Sequence, residues 1–372
     1  MHVLYCSLGF SPHDYRFLDV LSRSEHQISY WAFSNIDPVE SRILPRRIRD
    51  LRSAFPLRAK RRSCSLQVAQ TVAKIIPQIK PDLIHAGPLQ KIAFPLSLTR
   101  FHPLVAMSWG SDVLLDARSG LGRWKAQYVL RRCAGFVCDS HAVLNRAEVL
   151  GAQREASFVF PWGVDHSQFS PGKNDGLRTE LGWEEATILL STRNWEPIYG
   201  VDLILKAFAQ LIKEMPELRM MMLGDGSMSS DINRMIQHLG LIDKIHLAGR
   251  IAYVDLPGYY QAADIYLSAS HSDGSSVSLL EAMATGLVCV VSDIPGNCEW
   301  ITHEVDGYLF ERGDPASLVS ILRHCIMERD NWRQLGRKAR DQAVLRADWM
   351  NNYPILFDAY RTALKSKNRL SS

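Results

Sequence analysis

No charge-free apolar run in this sequence approaches the roughly 18 residues that a membrane-spanning helix needs, so a helical membrane protein is excluded. The chain opens directly on a strand-like run, HVLYC (2–6), without the basic and apolar regions of a secretion signal. Its seven cysteines are scattered singly, with no Cys-x-x-Cys pair and none beside histidines at metal-ligand spacing. That pattern excludes a disulfide framework and a zinc module. Cys6, Cys138 and Cys289 fall inside apolar runs, as reduced, buried thiols do, and a cytoplasmic protein is expected. There is no internal repeat and no low-complexity tract. There is also little net charge: 43 basic against 39 acidic residues leave +4, too mild by itself to imply a polyanionic partner.

What the chain does have is length and ordinary globular composition. Its 372 residues, 47% hydrophobic and 22% charged, suffice for two domains with separate cores. Strand-like runs alternate with helical periodicity throughout, the pattern of a doubly wound parallel sheet whose ligands sit at strand carboxyl ends.

The most informative stretch is HSDGSSVSLLEAMATGLVCVVSDIPGNCEW (271–300). It follows a strand-like run at 264–269 and turns at once through SDGSS (272–276). Ser276 is placed to cap a helix in which Leu279, Leu280 and Met283 recur at helical spacing and Gly286 is the stop. A second buried strand follows at 288–292. Strand, glycine-containing loop and helix N-terminus together form an anion site, because free N–H groups and the positive dipole end converge there. Asp273 and Glu281 flank it, eight positions apart. An anion cradle bordered by carboxylates that accept from sugar hydroxyls suits a nucleotide sugar.

This stretch resembles the donor-binding core of the retaining glycosyltransferases of family 4. That resemblance implies a GT-B fold: two doubly wound, Rossmann-like parallel-sheet domains facing a cleft. In the family, two glutamates eight positions apart precede Ala-Met-Ala-x-Gly; here Asp273 stands for the first, and EAMATG (281–286) follows. Other phrases resemble the family in order. PWGVDHSQFSP (161–171) is similar to its interdomain phrase, with linker-like sequence continuing to Gly182. Arg193 matches an arginine that reaches the donor diphosphate, whereas Tyr199 stands where a lysine is usual. GDGS (224–227) contributes Gly226, and IHLAGR (245–250), ending in Arg250, resembles the loop that holds the nucleobase. The expected domains are 1–168 on the acceptor side, 169–345 for the donor, and 346–372 as a final helix crossing back.

The resemblance implies roles residue by residue. Arg193, the helix N-terminus with Gly274, Ser275, Ser276 and Val277, and Tyr199 would surround the diphosphate. Glu281 would accept from ribose hydroxyls and Asp273 from the donor sugar. At WGSD (109–112), Trp109 replaces a histidine usual in the family; Asp112 is the remaining catalytic candidate, or else a helix cap. His13 and Arg16, just after the first strand, are either acceptor contacts or exposed polar residues of a helix start. His85 either lines the cleft or is satisfied within the sheet.

One composition shift stands apart. RILPRRIRDLRSAFPLRAKRR (42–62) has nine basic residues and one acidic, interleaved with Ile48, Leu51 and Phe55. Such a segment either adsorbs to an anionic membrane surface, through cations including Arg46, Arg47, Arg61 and Arg62, or is a solvated insertion. No aromatic stacking pattern accompanies the charge, so nucleic acid is not an expected partner. The expected function is transfer of a sugar from a nucleotide-diphosphate donor to an acceptor glycan or glycolipid, with no metal and no cofactor. Two alternatives share the fold, a sugar-nucleotide epimerase and a non-catalytic nucleotide-sugar binder; the departures at Trp109, Tyr199 and Asp273 favour the latter of the two.

Overall fold

A computed structural model describes residues 1–33, 42–57 and 64–370; Arg61 and Arg62 lie outside them. The chain divides into two units, Met1–Trp162 with Asn351–Ser372, and Gly163–Met350. The sequence predicts boundaries near 168 and 345. They fall at 162 and 350 because Val164 N–H donates to Ala347 O and Trp349 N–H to Val164 O, binding both stretches into the second unit.

The first unit is built on β1 (His2–Ser7), β2 (Gln27–Ala32), β3 (Ile48–Asp50), β4 (Leu83–Ala86), β5 (Leu104–Met107), β6 (Gly135–Cys138) and β7 (Ser157–Val159). All pair in parallel, in the order β3-β2-β1-β4-β5-β6-β7. The winding direction reverses between β1 and β4, which makes their carboxyl ends the ligand-prone crevice of this sheet. β1, β4, β5 and β6 are buried along their whole length, as continuous apolar runs are when helices cover both faces. The helix Pro12–Arg23 starts where Ser11 and Asp14 exchange side-chain and backbone bonds in a capping box, with Pro12 in the first turn.

The last helix, Pro354–Leu370, belongs to this unit and packs along β4 to β7. Its Tyr360 hydroxyl lies 2.7 Å from His85 Nδ1. Burial pushes the His85 pKa down to about 3, so the ring is neutral. His85 is thus held at Nδ1 by the last helix rather than by the sheet, and its buried Nε2 has no hydrogen-bond partner.

The second unit repeats the plan with β8 (Thr187–Ser191), β9 (Leu218–Leu223), β10 (Ile245–Gly249), β11 (Ile265–Ser268), β12 (Val288–Ser292) and β13 (Tyr308–Phe310). The parallel order is β10-β9-β8-β11-β12-β13, so the reversal lies between β8 and β11. Alternate strand residues feed two separate cores: Leu189, Met220, Met222, Leu267 and Val290 on one face, Ile188, Leu190, Met221, Tyr266 and Val291 on the other. That is the period of two expected of a strand buried on both sides. The stretch that reads as linker up to Gly182 contains a helix, Asp175–Leu181, capped by Asn174 and ended by Gly182 in the left-handed region. It is too short for periodicity to reveal. Among the described residues no helix is long and apolar enough to cross a membrane.

Candidate functional site

At the reversal point of the second sheet, the chain leaving β8 carries Arg193, and the chain leaving β11 carries Asp273 into the helix Val277–Thr285. Ser276 caps that helix, and Gly286 ends it at φ 81, a conformation that favours glycine. Arg193 Nη2 donates to Asp273 Oδ2 at 2.6 Å, while Nη1 donates to Ser276 Oγ at 2.6 Å and Ser278 Oγ at 3.1 Å. The Tyr199 ring centroid lies 4.0 Å from the guanidinium carbon, close enough for a cation–π contact. The arginine is buried and its Nε–H has no acceptor. Burial opposes its charge, but the adjacent Asp273 carboxylate more than compensates and raises the pKa. This is a fixed cation at a helix N-terminus, suited to an anion with several acceptor oxygens.

One turn further on, Glu281 is 5% exposed, and the Tyr260 hydroxyl donates to its Oε2 at 2.9 Å. The same hydroxyl lies 3.2 Å from both Thr192 Oγ1 and Ser278 O. Burial, and then the Glu281 charge, push the Tyr260 pKa well above its ordinary value, so the phenol stays a donor. Tyr266 adds a 2.7 Å contact to Ser278 Oγ. Neither tyrosine was among the residues the sequence singles out for the site: each lies on the apolar pattern of its own element, and only the fold turns its hydroxyl inward.

The loop 272–276 is held from behind. Trp300 Nε1 donates to Ser275 Oγ at 3.0 Å, and a Cβ on Gly296 would meet Gly274 O at 2.1 Å, so the two backbones touch. Gly226 serves another close approach, since a Cβ there would lie 2.4 Å from Trp195 O. The Glu196 carboxylate accepts from Ser227 N–H at 2.8 Å and from its hydroxyl, fastening the loop after β9 to the loop after β8. Arg250, at the end of β10, pairs with Asp225 at 3.0 Å on the surface. The structure thus gathers Arg193, Tyr199, Asp273, Gly274, Ser275, Ser276, Val277 and Glu281 around one helix start, with Gly226 beside the Arg193 loop and Arg250 paired to that same glycine loop. Among the described residues no grouping of His, Cys, Asp and Glu is arranged to hold a metal ion.

In the first unit, two sequence-derived roles change. Asp112 is buried and spent on the backbone: Oδ1 accepts from Ser108 Oγ (2.6 Å), Trp109 N–H (3.0 Å) and Val113 N–H (3.1 Å), and Oδ2 from Leu89 N–H (2.9 Å). Burial raises its pKa against these bonds. It brackets the turn after β5, which corrects its catalytic assignment. Arg16 is also buried, donating to Trp162 O at 3.0 Å. It ties the first helix of the unit to the chain beyond β7, which corrects its reading as an exposed residue of a helix start. His13 packs edge-on to Trp162 and Trp109, at 5.0 and 5.9 Å between centroids.

The segment 42–57 departs from its membrane-adsorbing reading. Ile48 and Leu51 are buried, Phe55 packs on the core, and Trp31 Nε1 donates to Phe55 O at 3.0 Å. Ile48 pairs with Ile28 as part of edge strand β3. These three apolar residues face inward, while Arg46, Arg47 and Ile43 are exposed.

Comparison with known proteins agrees with this architecture. Residues 11–168 match the family described as Glycosyltransferase Family 4, and residues 174–342 the family described as Glycosyl transferases group 1. The chain is 26% identical over 212 residues to the D-inositol 3-phosphate glycosyltransferase of Segniliparus rotundus, covering 56% of this chain and 47% of the relative. It is 27% identical over 201 residues to the alpha-monoglucosyldiacylglycerol synthase of Streptococcus pneumoniae, covering 52% and 45%. The chain therefore spans about half the length of the curated relatives it matches. Among solved structures, Anabaena HepE in complex with UDP-glucose superposes with a TM-score of 0.77 at 20% identity, over 97% of this chain and 99% of that one. WaaG, involved in lipopolysaccharide biosynthesis, gives 0.74 at 16% identity over 96% and 98%. With both halves matched in order, and with two parallel sheets each reversing at its centre, the chain belongs to glycosyltransferase family 4 and has the GT-B fold.

Proposed function

We propose that the protein transfers a sugar from a nucleotide-diphosphate donor to an acceptor hydroxyl, with retention at the anomeric carbon and without a metal. The observation that carries this reading is the buried Arg193 guanidinium at the N-terminus of the helix Val277–Thr285, at the sheet's reversal point. In the reaction the bond from the anomeric carbon to the diphosphate oxygen breaks and a bond to the acceptor oxygen forms. Charge grows on the leaving diphosphate, where a guanidinium, the helix dipole and loop amides already in place stabilise it without reorganising. Glu281, oriented by Tyr260, accepts from the ribose hydroxyls, and Asp273 from the donor sugar. HepE, whose complex holds UDP-glucose, supports a nucleotide-sugar donor.

The proposed acceptor is a lipid-linked or cell-surface polysaccharide precursor. Support comes from the similarity to a diacylglycerol-sugar synthase and to a lipopolysaccharide enzyme. The experiment is a thermal-shift screen of nucleotide sugars on the native protein and on Arg193→Ala. Ligand at 100 times Kd stabilises by about 2.7 kcal/mol, so one donor should raise the melting temperature of the native protein and fail with the variant. Incubating that donor with and without lipid acceptors then separates transfer from epimerisation or binding alone. No shift with any nucleotide sugar would sink the reading.

A further inference from the structure

The helix Gly120–Leu130 of the first unit carries an apolar stripe left exposed among the described residues. Leu121 is 64% and Trp124 51% exposed, and Tyr128, half-buried, continues the stripe one turn on. Phe94 lies beneath, with ring centroids 5.4 Å from Trp124 and 5.6 Å from Tyr128. Lys125 Nζ reaches Ser65 Oγ at 3.5 Å, so the start of the helix Cys64–Ile79, where Leu66 is 60% exposed, lies beside this helix. Leu98, 39% exposed, extends the patch one turn beyond Phe94.

The charge around this stripe is predominantly positive. Residues 116–132 hold Arg118, Arg123, Lys125, Arg131 and Arg132 against Asp116 alone, a net +4 equal to that of the whole chain. The helix Cys64–Ile79, residues 89–101 and the helix Gly120–Leu130 pack together without a single Asp or Glu among them, and Lys91 and Arg100 add to the cations. None of these seven cations is in an ion pair among the described residues. Arg132 lies over the Tyr128 ring at 4.0 Å, at the end of the stripe.

We propose that this face docks on an anionic lipid surface, with Leu121, Trp124 and Leu66 entering the headgroup boundary and the surrounding cations meeting lipid phosphates. An exposed tryptophan and leucines ringed by Lys and Arg is the composition of an interfacial helix. A second copy of the chain is a poor occupant, because two faces this basic repel. The proposal does not depend on the sugar chemistry. It also differs from the segment 42–57, where Ile48, Leu51 and Phe55 are turned into the core.

The test is sedimentation of the full chain with vesicles of phosphatidylglycerol and phosphatidylcholine, against phosphatidylcholine alone. The native protein should pellet with the anionic vesicles at about 0.1 M salt and be released near 1 M, as the screening length falls from about 10 to about 3 Å. Leu121→Ser with Trp124→Ala should abolish pelleting. Arg123→Ser with Arg131→Ser should lower partition about fivefold for each cation removed. Trp124→Phe should lose the tryptophan quenching caused by brominated lipid while still pelleting. All variants should keep the native circular dichroism and the nucleotide-induced thermal shift. The proposal is overturned if the native protein ignores anionic vesicles. It is equally overturned if Arg46→Ser with Arg47→Ser releases the protein while the helix variants do not, or if the helix variants change only the oligomeric state.

Discussion

Asp273 and Arg193 form an ion pair just before the helix Val277–Thr285. The Asp273 Oδ2 lies 2.6 Å from the guanidinium, its Oδ1 accepts from Gly274 N–H at 2.9 Å, and the pair is largely shielded from water, with side chains 19% and 10% exposed. A carboxylate at a helix start beside a buried arginine is an internal anion. If the proposed phosphate takes the place of Asp273 at Nη2, the carboxylate is released and becomes free to accept from a sugar hydroxyl. Donor binding on this account is an exchange of one anion for another.

Replacing Asp273 by Asn removes the competitor but also the acceptor for the sugar. Affinity for a nucleoside diphosphate without its sugar should then rise by about 1–2 kcal/mol, the worth of a charge-assisted hydrogen bond that no longer has to be broken. Turnover should fall in the same variant. Titration calorimetry with nucleoside diphosphate decides it; unchanged or weaker binding would show that Asp273 does not compete.

Glu281→Gln keeps the shape at a buried position and removes the charge. Because the Tyr260 hydroxyl has Thr192 and Ser278 within 3.2 Å as well, the fold should survive with little change in melting temperature. Nucleotide affinity should drop by roughly 1.5–3 kcal/mol as a charged acceptor for ribose is lost. A variant that binds nucleotide as tightly as the native protein would remove Glu281 from the ribose.

Tyr199→Lys restores the family's residue, but in this structure the ring supports Arg193 from 4.0 Å. An ammonium there places like charges together until a phosphate arrives. The unliganded variant should therefore melt lower, by an amount on the order of 1 kcal/mol for the lost cation–π contact, and show a larger ligand-induced shift than the native protein. Tyr199→Phe, which keeps the ring, should match the native protein in both respects. Equal ligand-induced shifts for Lys and Tyr would place residue 199 away from the phosphates.

Asp14 predicts a pH dependence. Burial pushes its carboxyl from 3.8 up to about 6, despite bonds from Ser11 and Tyr5. Between those two values the folded state holds a proton that the unfolded chain has released. Its contribution is therefore complete below about pH 4 and is lost as pH rises through 6, an effect on the order of 2–3 kcal/mol. Urea unfolding of Asp14→Asn against the native protein, followed from pH 4 to 7, should show the difference between them growing in favour of the variant. Parallel curves would mean that the carboxyl titrates normally.

Much of this protein is legible locally. Continuous apolar runs identify the buried strands, Ser276 marks a helix start, and the stretch 271–286 reads as an anion site, because capping and periodicity are written within a few residues of where they act. The choice between competing uses of one residue is not local. Arg193 and Asp273 meet across 80 residues only because β8 and β11 are sheet neighbours. Asp112 reads as a catalyst or a cap until the amides of Leu89, Trp109 and Val113 close around both its oxygens. Ile48, Leu51 and Phe55 read as a membrane face beside their arginines until β3 joins the sheet edge and turns them inward. The sequence determines which groups are available and what each short segment becomes. The tertiary structure decides which partner each buried charge and apolar face receives, because an unpaired buried group is costly and the sheet order alone sets which groups arrive together.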